Sequence, residues 1–359
     1  MPRFRPGPVT VRPPATSANL GPGFDSFGLA LELRDEVTVE VLDDAGLSVE
    51  VVGEGAGEVP LDERHLLVRS LRAAFDELGG QPAGLRVRCV NRIPHGRGLG
   101  SSSAAICAGL IAARALTEDG GKLLDDERVL DLATRIEGHP DNVAPCLRGG
   151  LTIAWMAEPG SDCEPWPEPG ADWQSGTGGG AGPRPAGGHR TQDPGIVGNL
   201  AGGPGSAAGP RARVLRLDPA PDLLPVVFVP AAALATAVAR GLLPAEVPHR
   251  DAAFNAGRAG LLIAALTQPG LTLHHRSVLL CAGTRDRLHQ GYRAPAMPAA
   301  AALVEHLSAL RIPVAVSGAG PTVLALTVGA GAAREALGHA PPDVTAMIAA
   351  VAADGVLVR

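Results

Sequence analysis

Three glycines at alternate positions, Gly96, Gly98 and Gly100, run straight into three serines and then into a helix-forming run, Ala104 to Leu116. Glycine lets the backbone turn through positive φ and lets a ligand approach the amides closely. A helix start leaves unpaired N–H groups and a partial positive charge. The stretch Pro94-His95-Gly96-Arg97-Gly98-Leu99-Gly100-Ser101-Ser102-Ser103-Ala104-Ala105 therefore reads as an anion site, with a polyphosphate as the expected anion. The serines either cap the helix or reach a metal ion on that phosphate. A purely structural reading, a glycine turn with a serine cap, accounts for the same residues. Two other phosphate loops do not fit. No lysine stands before the serines, as a Walker A loop requires, and residues 96–100 space their glycines as G-x-G-x-G instead of G-x-G-x-x-G.

Strand and helix patterns alternate around this loop. Val37–Leu42, Leu47–Val52 and Leu85–Val90 have the apolar alternation of strands. Leu66–Leu78 reads as a helix stopped by Gly79-Gly80, and Leu123–Ile136 as a second amphipathic helix. Residues 149–155 enter a strand. Further on, Val214–Leu217 and Val226–Val229 read as strands, and Thr236–Arg240, Ala252–Leu266 and Ala299–Leu310 as helices. Val314–Val316 and Val323–Leu326 flank a second glycine turn, Ser317–Pro321, which is either a plain hairpin turn or a cover for the first loop. The mixture predicts an α+β fold. A chain of 359 residues can build one or two domains. Residues 158–210 stand apart, with 15 glycines and 9 prolines among 53 residues and no apolar period, and that composition predicts a disordered insertion. Trp166, Trp173 and Cys163 inside it read as chance exposure in a tolerated loop, in preference to a docking motif.

Composition argues against several classes. With 31 basic against 37 acidic residues the net charge is −6, which argues against nucleic acid as a main partner. Five cysteines, Cys89, Cys107, Cys146, Cys163 and Cys281, are odd in number and lack C-x-x-C spacing, so neither a disulfide framework nor a zinc site is expected, and a reducing cytoplasm is the default compartment. The first twenty residues have no apolar core of signal-peptide length, and no apolar run is long enough to suggest a membrane span.

Chemistry-bearing residues gather in four further places. Residues 14–28 are dense in turn formers yet carry Asn19, Asp25, Phe24 and Phe27, as a packed loop aiming an amide and a carboxylate at a small ligand would; an Asx-turn explains the same residues. Glu137, His139, Asp141 and Asn142 fall within six residues, and a helix cap followed by a turn accounts only for Gly138 and Pro140. A carboxylate there suits magnesium, which takes oxygen ligands. Thr236 and Arg240 are spaced i, i+4 and share a helix face, and Arg293 follows in Asp286-Arg287-Leu288-His289-Gln290-Gly291-Tyr292-Arg293. Arginine suits bidentate carboxylate recognition, although surface solvation is the usual fate of a single arginine. The fourth place is the turn Ser317–Pro321.

Taken in order, these clusters resemble the GHMP family of small-molecule kinases. Residues 94–105 are similar to its P-x-x-x-G-L-G-S-S-A signature, and residues 317–324 to its third motif, S-G-A-G-P-S. Residues 14–28 and 137–145 resemble the P-A-T-S-A-N-L-G-P-G-F-D and E-G-H-P-D-N-V-A-P motifs of the branch that phosphorylates L-homoserine. The likeness runs from about residue 8 to the C-terminus, leaving out 158–210. It implies a ribosomal-S5-like domain over 1–157, a ferredoxin-like domain over 211–359, and a nucleotide between them. The implied reaction converts ATP and L-homoserine to ADP and O-phospho-L-homoserine, a step toward threonine.

The same resemblance implies roles. Residues 94–104 would wrap the ATP phosphates, with Ser102 and Glu137 near Mg²⁺. Asn19, Asp25, His139 and Asp141 would line the substrate pocket, with Asp25 near the ammonium group. Asn142 would touch the reacting hydroxyl, and Thr236, Arg240 and Arg293 would grip the carboxylate. Glu137, Asp141 and Asn142 are thus the expected catalytic group, with no residue singled out as a base. Homodimers are common in the family, so a second copy is an allowed partner. Three positions depart from the pattern: His65, where asparagine often stands near the adenine, Gly291 before Tyr292-Arg293, and Thr322 in place of serine. The alternatives are a relative acting on a mevalonate- or sugar-like alcohol, and a nucleotide-binding protein without turnover. An amine-facing carboxylate together with an arginine pair favours an amino acid.

Overall fold

A computed structural model describes residues 2–157 and 210–359. The disorder expected for 158–210, with Trp166, Trp173 and Cys163, lies outside the described residues except at Pro210. In chain order, β1 (Val9–Arg12), β2 (Pro14–Ala18), β3 (Phe27–Arg34), β4 (Glu36–Leu42) and β5 (Gly46–Gly53) precede α1 (Leu66–Glu77) and β6 (Gly84–Asn91). The glycine loop leads into α2 (Ser101–Leu116), followed by α3 (Gly120–Leu123), α4 (Asp126–Glu137), α5 (Pro140–Arg148) and β7 (Leu151–Ala157). Later come β8 (Arg211–Leu217), β9 (Val226–Pro230), α6 (Thr236–Gly241), α7 (His249–Thr267), α8 (Leu273–Gly283) and α9 (Gln290–Arg293). The chain ends with α10 (Pro298–Ala309), β10 (Val314–Val316), β11 (Val323–Ala325), α11 (Gly329–Leu337), β12 (Val344–Ile348) and β13 (Leu357–Val358).

The first sheet runs β13-β1-β4-β6-β5, antiparallel except for the parallel β5–β6 pair. Along β6, Leu85, Val87 and Cys89 are buried while Arg86 and Arg88 face water, the period of two that a one-sided sheet requires. The buried face joins Leu71 and Phe75 of α1 and Leu110 of α2 in one apolar core. A second sheet runs β2-β3-β7-β8. The third runs β10-β11-β9-β12 and is antiparallel throughout. With helices between β9 and β10 and α11 between β11 and β12, this is the ferredoxin-like order. The α+β expectation is met. Strands from beyond the insertion also complete the earlier sheets: β8 lies beside β7, and β13 pairs with β1.

Local differences from the sequence pattern have local causes. Helix α2 begins at Ser101, not Ala104, because Gly100 turns left-handed (φ +69°) and admits the serines to the first turn. The single helix expected over 123–136 is interrupted: Asp125 accepts the N–H of Arg128 at 2.9 Å and caps a new helix, α4. Residues 14–28 form a strand, a tight turn and a strand. Residues 140–148, for which the sequence pattern gives no element, form α5, with Pro140 in the first-turn position that proline suits. Pro145 inside α5 has no N–H to offer the Asp141 carbonyl. Gly28 of β3 packs there, and a Cβ on it would lie 2.2 Å from that carbonyl oxygen.

Candidate active site

Two glycines of the phosphate loop have no substitute. Gly98 has φ +78°, and a Cβ on it would meet Ser317 O at 2.3 Å. Gly100 would meet Thr16 Oγ1 at 1.9 Å. The second glycine turn does close on the first. Ser317 Oγ donates to Gly98 O at 2.6 Å and lies 2.8 Å from Ser17 Oγ, and the Thr322 N–H donates to Arg97 O at 3.2 Å. Not all of 94–104 faces a ligand. Leu99 and Ser103 are buried. The Arg97 guanidinium donates to the carbonyls of His95 (2.9 Å), Pro230 (3.1 Å) and Ala231 (2.8 Å), which braces the loop against the end of β9.

Gly96, Gly98, Gly100, Ser101 and Ser102 wall one side of a cavity of about 180 Å³. Opposite them the structure gathers every predicted substrate and catalytic residue: Asn19 and Asp25 from the β2–β3 turn, Glu137, His139, Asp141 and Asn142 from the α4–α5 junction, Thr236 and Arg240 one helical turn apart on α6, and Arg293 from α9. Gly318 and Ala319 complete the wall. A second cavity of about 350 Å³ shares Gly96, Ser101 and Ser102 with the first. Its lining is more apolar, with Val37, Val59, Leu66 and Ala104, and it includes His65 and His95. His65 caps α1, its Nδ1 accepting the Leu67 N–H at 3.3 Å. Burial and the charge of His95 lower its pKa, so the ring is neutral.

Hydrogen bonds assign each side chain a task. Glu137 Oε1 accepts the hydroxyls of Ser102 (2.6 Å) and Ser103 (2.9 Å), which joins the end of α4 to the start of α2. Asn142 Oδ1 accepts the Thr16 hydroxyl at 2.8 Å, and the residue lines the cavity. His139 Nδ1 is hydrogen-bonded to Asp141 Oδ1. Burial alone would lower the His139 pKa, but the bond to Asp141 and the charges of Asp141 and Glu137 outweigh it and raise it above the ordinary value. Asn19 braces its own turn, accepting the Asp25 N–H at 2.9 Å and donating to Gly318 O at 2.8 Å. Asp25 and Arg240 pair with each other at 3.0 Å.

Arg293 is only 2% exposed, and among the described residues no carboxylate forms an ion pair with it, although the charges of Asp25, Asp286 and Asp141 act on it from further away. Its Nε donates to Ala239 O (3.3 Å), and its Nη1 to Gly318 O (3.3 Å) and His289 Nδ1 (3.2 Å). Burial and the neighbouring Arg240 push its pKa down, yet a guanidinium remains a cation. A buried cation beside a cavity with no acid against it marks a place for an anionic group. Sequence reasoning missed Thr16 and His289. Thr16 lies inside the 14–28 motif without a signal of its own, and His289 stands four residues before Arg293, at the N-cap of the short helix that carries it.

These loops and this cavity define a small-molecule kinase of the GHMP type, and residues 65–150 match the family model described as GHMP kinases N terminal domain. The chain is 54% identical over 325 residues to a homoserine kinase of Streptomyces avermitilis, covering 90% of this chain and 87% of that one. It is 44% identical to a homoserine kinase of Clavibacter michiganensis, covering 89% and 82%. It belongs to the homoserine kinase family. The crystal structure of homoserine kinase from Cytophaga hutchinsonii has the same fold, with a TM-score of 0.72 at 22% identity and 99% of each chain covered. No helix among the described residues is long and apolar enough to cross a membrane.

Proposed function

We propose that this chain transfers the γ-phosphoryl group of ATP to the side-chain hydroxyl of L-homoserine, giving ADP and O-phospho-L-homoserine. The observation that carries this reading is the buried guanidinium of Arg293, without an ion-pair partner among the described residues, which shares one cavity with the Asp25 carboxylate and the glycine loop. Homoserine is a zwitterion with one hydroxyl. Arg293, with Arg240 and Thr236, binds its carboxylate; Asp25 and Asn19 take its ammonium end; His139 and Asp141 shape the pocket between them. Asn142 meets the hydroxyl with its amide. The polyphosphate lies along Gly96–Ser102, and the nucleoside occupies the adjoining apolar cavity beside His65.

The hydroxyl oxygen forms a bond to the γ-phosphorus, the bond to the ADP oxygen breaks, and the hydroxyl proton goes to solvent. A loose transition state for this transfer demands alignment and charge neutralisation more than proton abstraction. Asp141 is poorly suited as a base, because it is 2% exposed and tied to an imidazole whose pKa it raises. Magnesium fits the donor set. Glu137 and Ser102 are oxygen donors beside the phosphate loop, and among the described residues only one Glu137 oxygen is engaged. When bound, magnesium would neutralise charge on the transferring group.

ADP release coupled to NADH oxidation, followed with homoserine, mevalonate and galactose in turn, tests the proposal. Turnover with homoserine is expected. Preference for either other alcohol, or ADP release independent of all three, would overturn it.

A further inference from the structure

We propose that His289 is a positioning residue, holding Arg293 in place and tying it to the Asn19–Asp25 turn, so that carboxylate recognition depends on an imidazole that no substrate touches. This rests on the reading of Arg293 as the carboxylate's partner. His289 is fully buried at the start of α9. Its Nε2 lies 2.8 Å from Gly21 O, an acceptor only, so Nε2 carries the proton. Nδ1 is then bare and accepts from Arg293 Nη1 at 3.2 Å. The Phe24 ring stacks on the imidazole at 5.2 Å and lies 5.4 Å from the Arg293 guanidinium, so one turn contributes both the carbonyl and the aromatic platform.

The imidazole has its own support. Asp286 accepts the N–H groups of Leu288 (3.0 Å), His289 (3.0 Å) and Gln290 (2.8 Å) and the side-chain amide of Asn255 (3.0 Å), which fixes the start of α9. Burial keeps His289 neutral despite the charge of Asp286. A protonated ring would present a second cation to Arg293 and lose its acceptor. Nε and Nη1 of Arg293 are engaged by Ala239, Gly318 and His289, whereas Nη2 has no protein acceptor among the described residues and remains for a ligand. Gly318 O also accepts from Asn19, so the two ends of the substrate site share one carbonyl.

The test compares His289→Leu, His289→Asn, His289→Gln and Arg293→Met on two substrates, L-homoserine and 3-aminopropan-1-ol, the same skeleton without the carboxylate. His289→Leu should raise KM for homoserine about tenfold, the upper end for one net hydrogen bond. Its kcat and its KM for ATP should stay near wild type, and kcat/KM for the amino alcohol should change less than about twofold. Asn, whose carbonyl oxygen replaces Nδ1, should recover most homoserine affinity; Gln, whose amide replaces only Nε2, should not. If the amino alcohol turns over too slowly, its inhibition constant against homoserine replaces kcat/KM. If His289→Leu does not fold, the Asn and Gln pair decides. A KM for homoserine unmoved by Arg293→Met would refute the carboxylate reading itself. An effect of Arg293→Met with none from the His289 variants, or equal losses on both substrates, would overturn the positioning role.

Discussion

Arg293→Met and Arg240→Met each remove one guanidinium from the same cavity while keeping most of the stem, and the structure ranks their effects. Arg293 is 2% exposed; the Arg240 side chain is 40% exposed. Two unit charges 4 Å apart interact by about 1 kcal/mol in water and about 4 kcal/mol at an effective dielectric of ~20. Truncating one partner of a desolvated charge pair costs about 2–5 kcal/mol. For Arg293 that corresponds to a fall in kcat/KM for homoserine of roughly 30- to several-thousand-fold. Solvent reaches Arg240, and Arg240 must give up Asp25 to engage a substrate, so its loss should stay near 1–2 kcal/mol, or about 5- to 30-fold. The exposed Asp25–Arg240 pair contributes about 0–1 kcal/mol to folding, so Arg240→Met should melt within a few degrees of wild type. Initial rates of ADP release across a homoserine series, repeated across an ATP series, separate the two ligands. The reasoning fails if Arg240→Met loses as much as Arg293→Met, or if either loss appears in the KM for ATP.

Glu137→Gln keeps the oxygen that accepts Ser102 and Ser103 but removes the charge, so turnover should fall by about two to three orders of magnitude at an unchanged melting temperature, checked by a magnesium titration. Gly98→Ala combines a left-handed backbone with a Cβ 2.3 Å from Ser317 O; a loss of about 1–3 kcal/mol in chemical denaturation is expected, together with weaker nucleotide binding. Asp141 and Glu137 raise the His139 pKa against burial, so the folded state holds this proton more tightly than the unfolded chain. The resulting stabilisation is complete below the unfolded value of 6.5 and disappears as pH climbs through the folded value, so the melting-temperature gap between wild type and His139→Asn should be widest in acid and close in base; a gap independent of pH would contradict it. Replacing residues 160–208 with a short Gly/Ser linker should leave kcat/KM near wild type, because every side chain assigned a role lies outside that segment.

The legible parts of the site were those that spacing encodes locally. Alternating glycines before a helix announced the phosphate loop, and the i, i+4 spacing put Thr236 and Arg240 on one face. The illegible parts depend on contacts between residues distant in sequence. Nothing near Asn142 says that Thr16, 126 positions earlier, occupies its carbonyl oxygen. Nothing near Gly21 says that its carbonyl holds an imidazole 268 positions later. Arg97 falls in the span 94–104 that the resemblance implies would wrap the phosphates, but the end of β9 passes alongside and the carbonyls of Pro230 and Ala231 take the guanidinium. Helix α5 was hidden by two prolines in nine residues, one of which suits a first turn while the other has no N–H for the Asp141 carbonyl, against which Gly28 packs closely.

The charges in the cavity discriminate among ligands more sharply than any single residue. Glu137 stands at the phosphate end with its serine hydroxyls, Asp141 is held by His139, and Asp25 lies with Arg240. A ligand carboxylate that draws Arg240 away from Asp25 leaves that carboxylate without its cation. On the proposed reading a zwitterionic substrate would restore the balance, its ammonium group taking the vacated place while its carboxylate bridged the two arginines; one ion pair would be exchanged for three charge contacts. Mevalonate supplies the carboxylate but no ammonium group, so Asp25 would stay unpaired. A neutral sugar would leave the buried Arg293 cation without an anion, a cost that its hydroxyls offset only in part. The arrangement therefore selects for both charges at once, and the ammonium group matters as much as the carboxylate that first draws attention to the arginines.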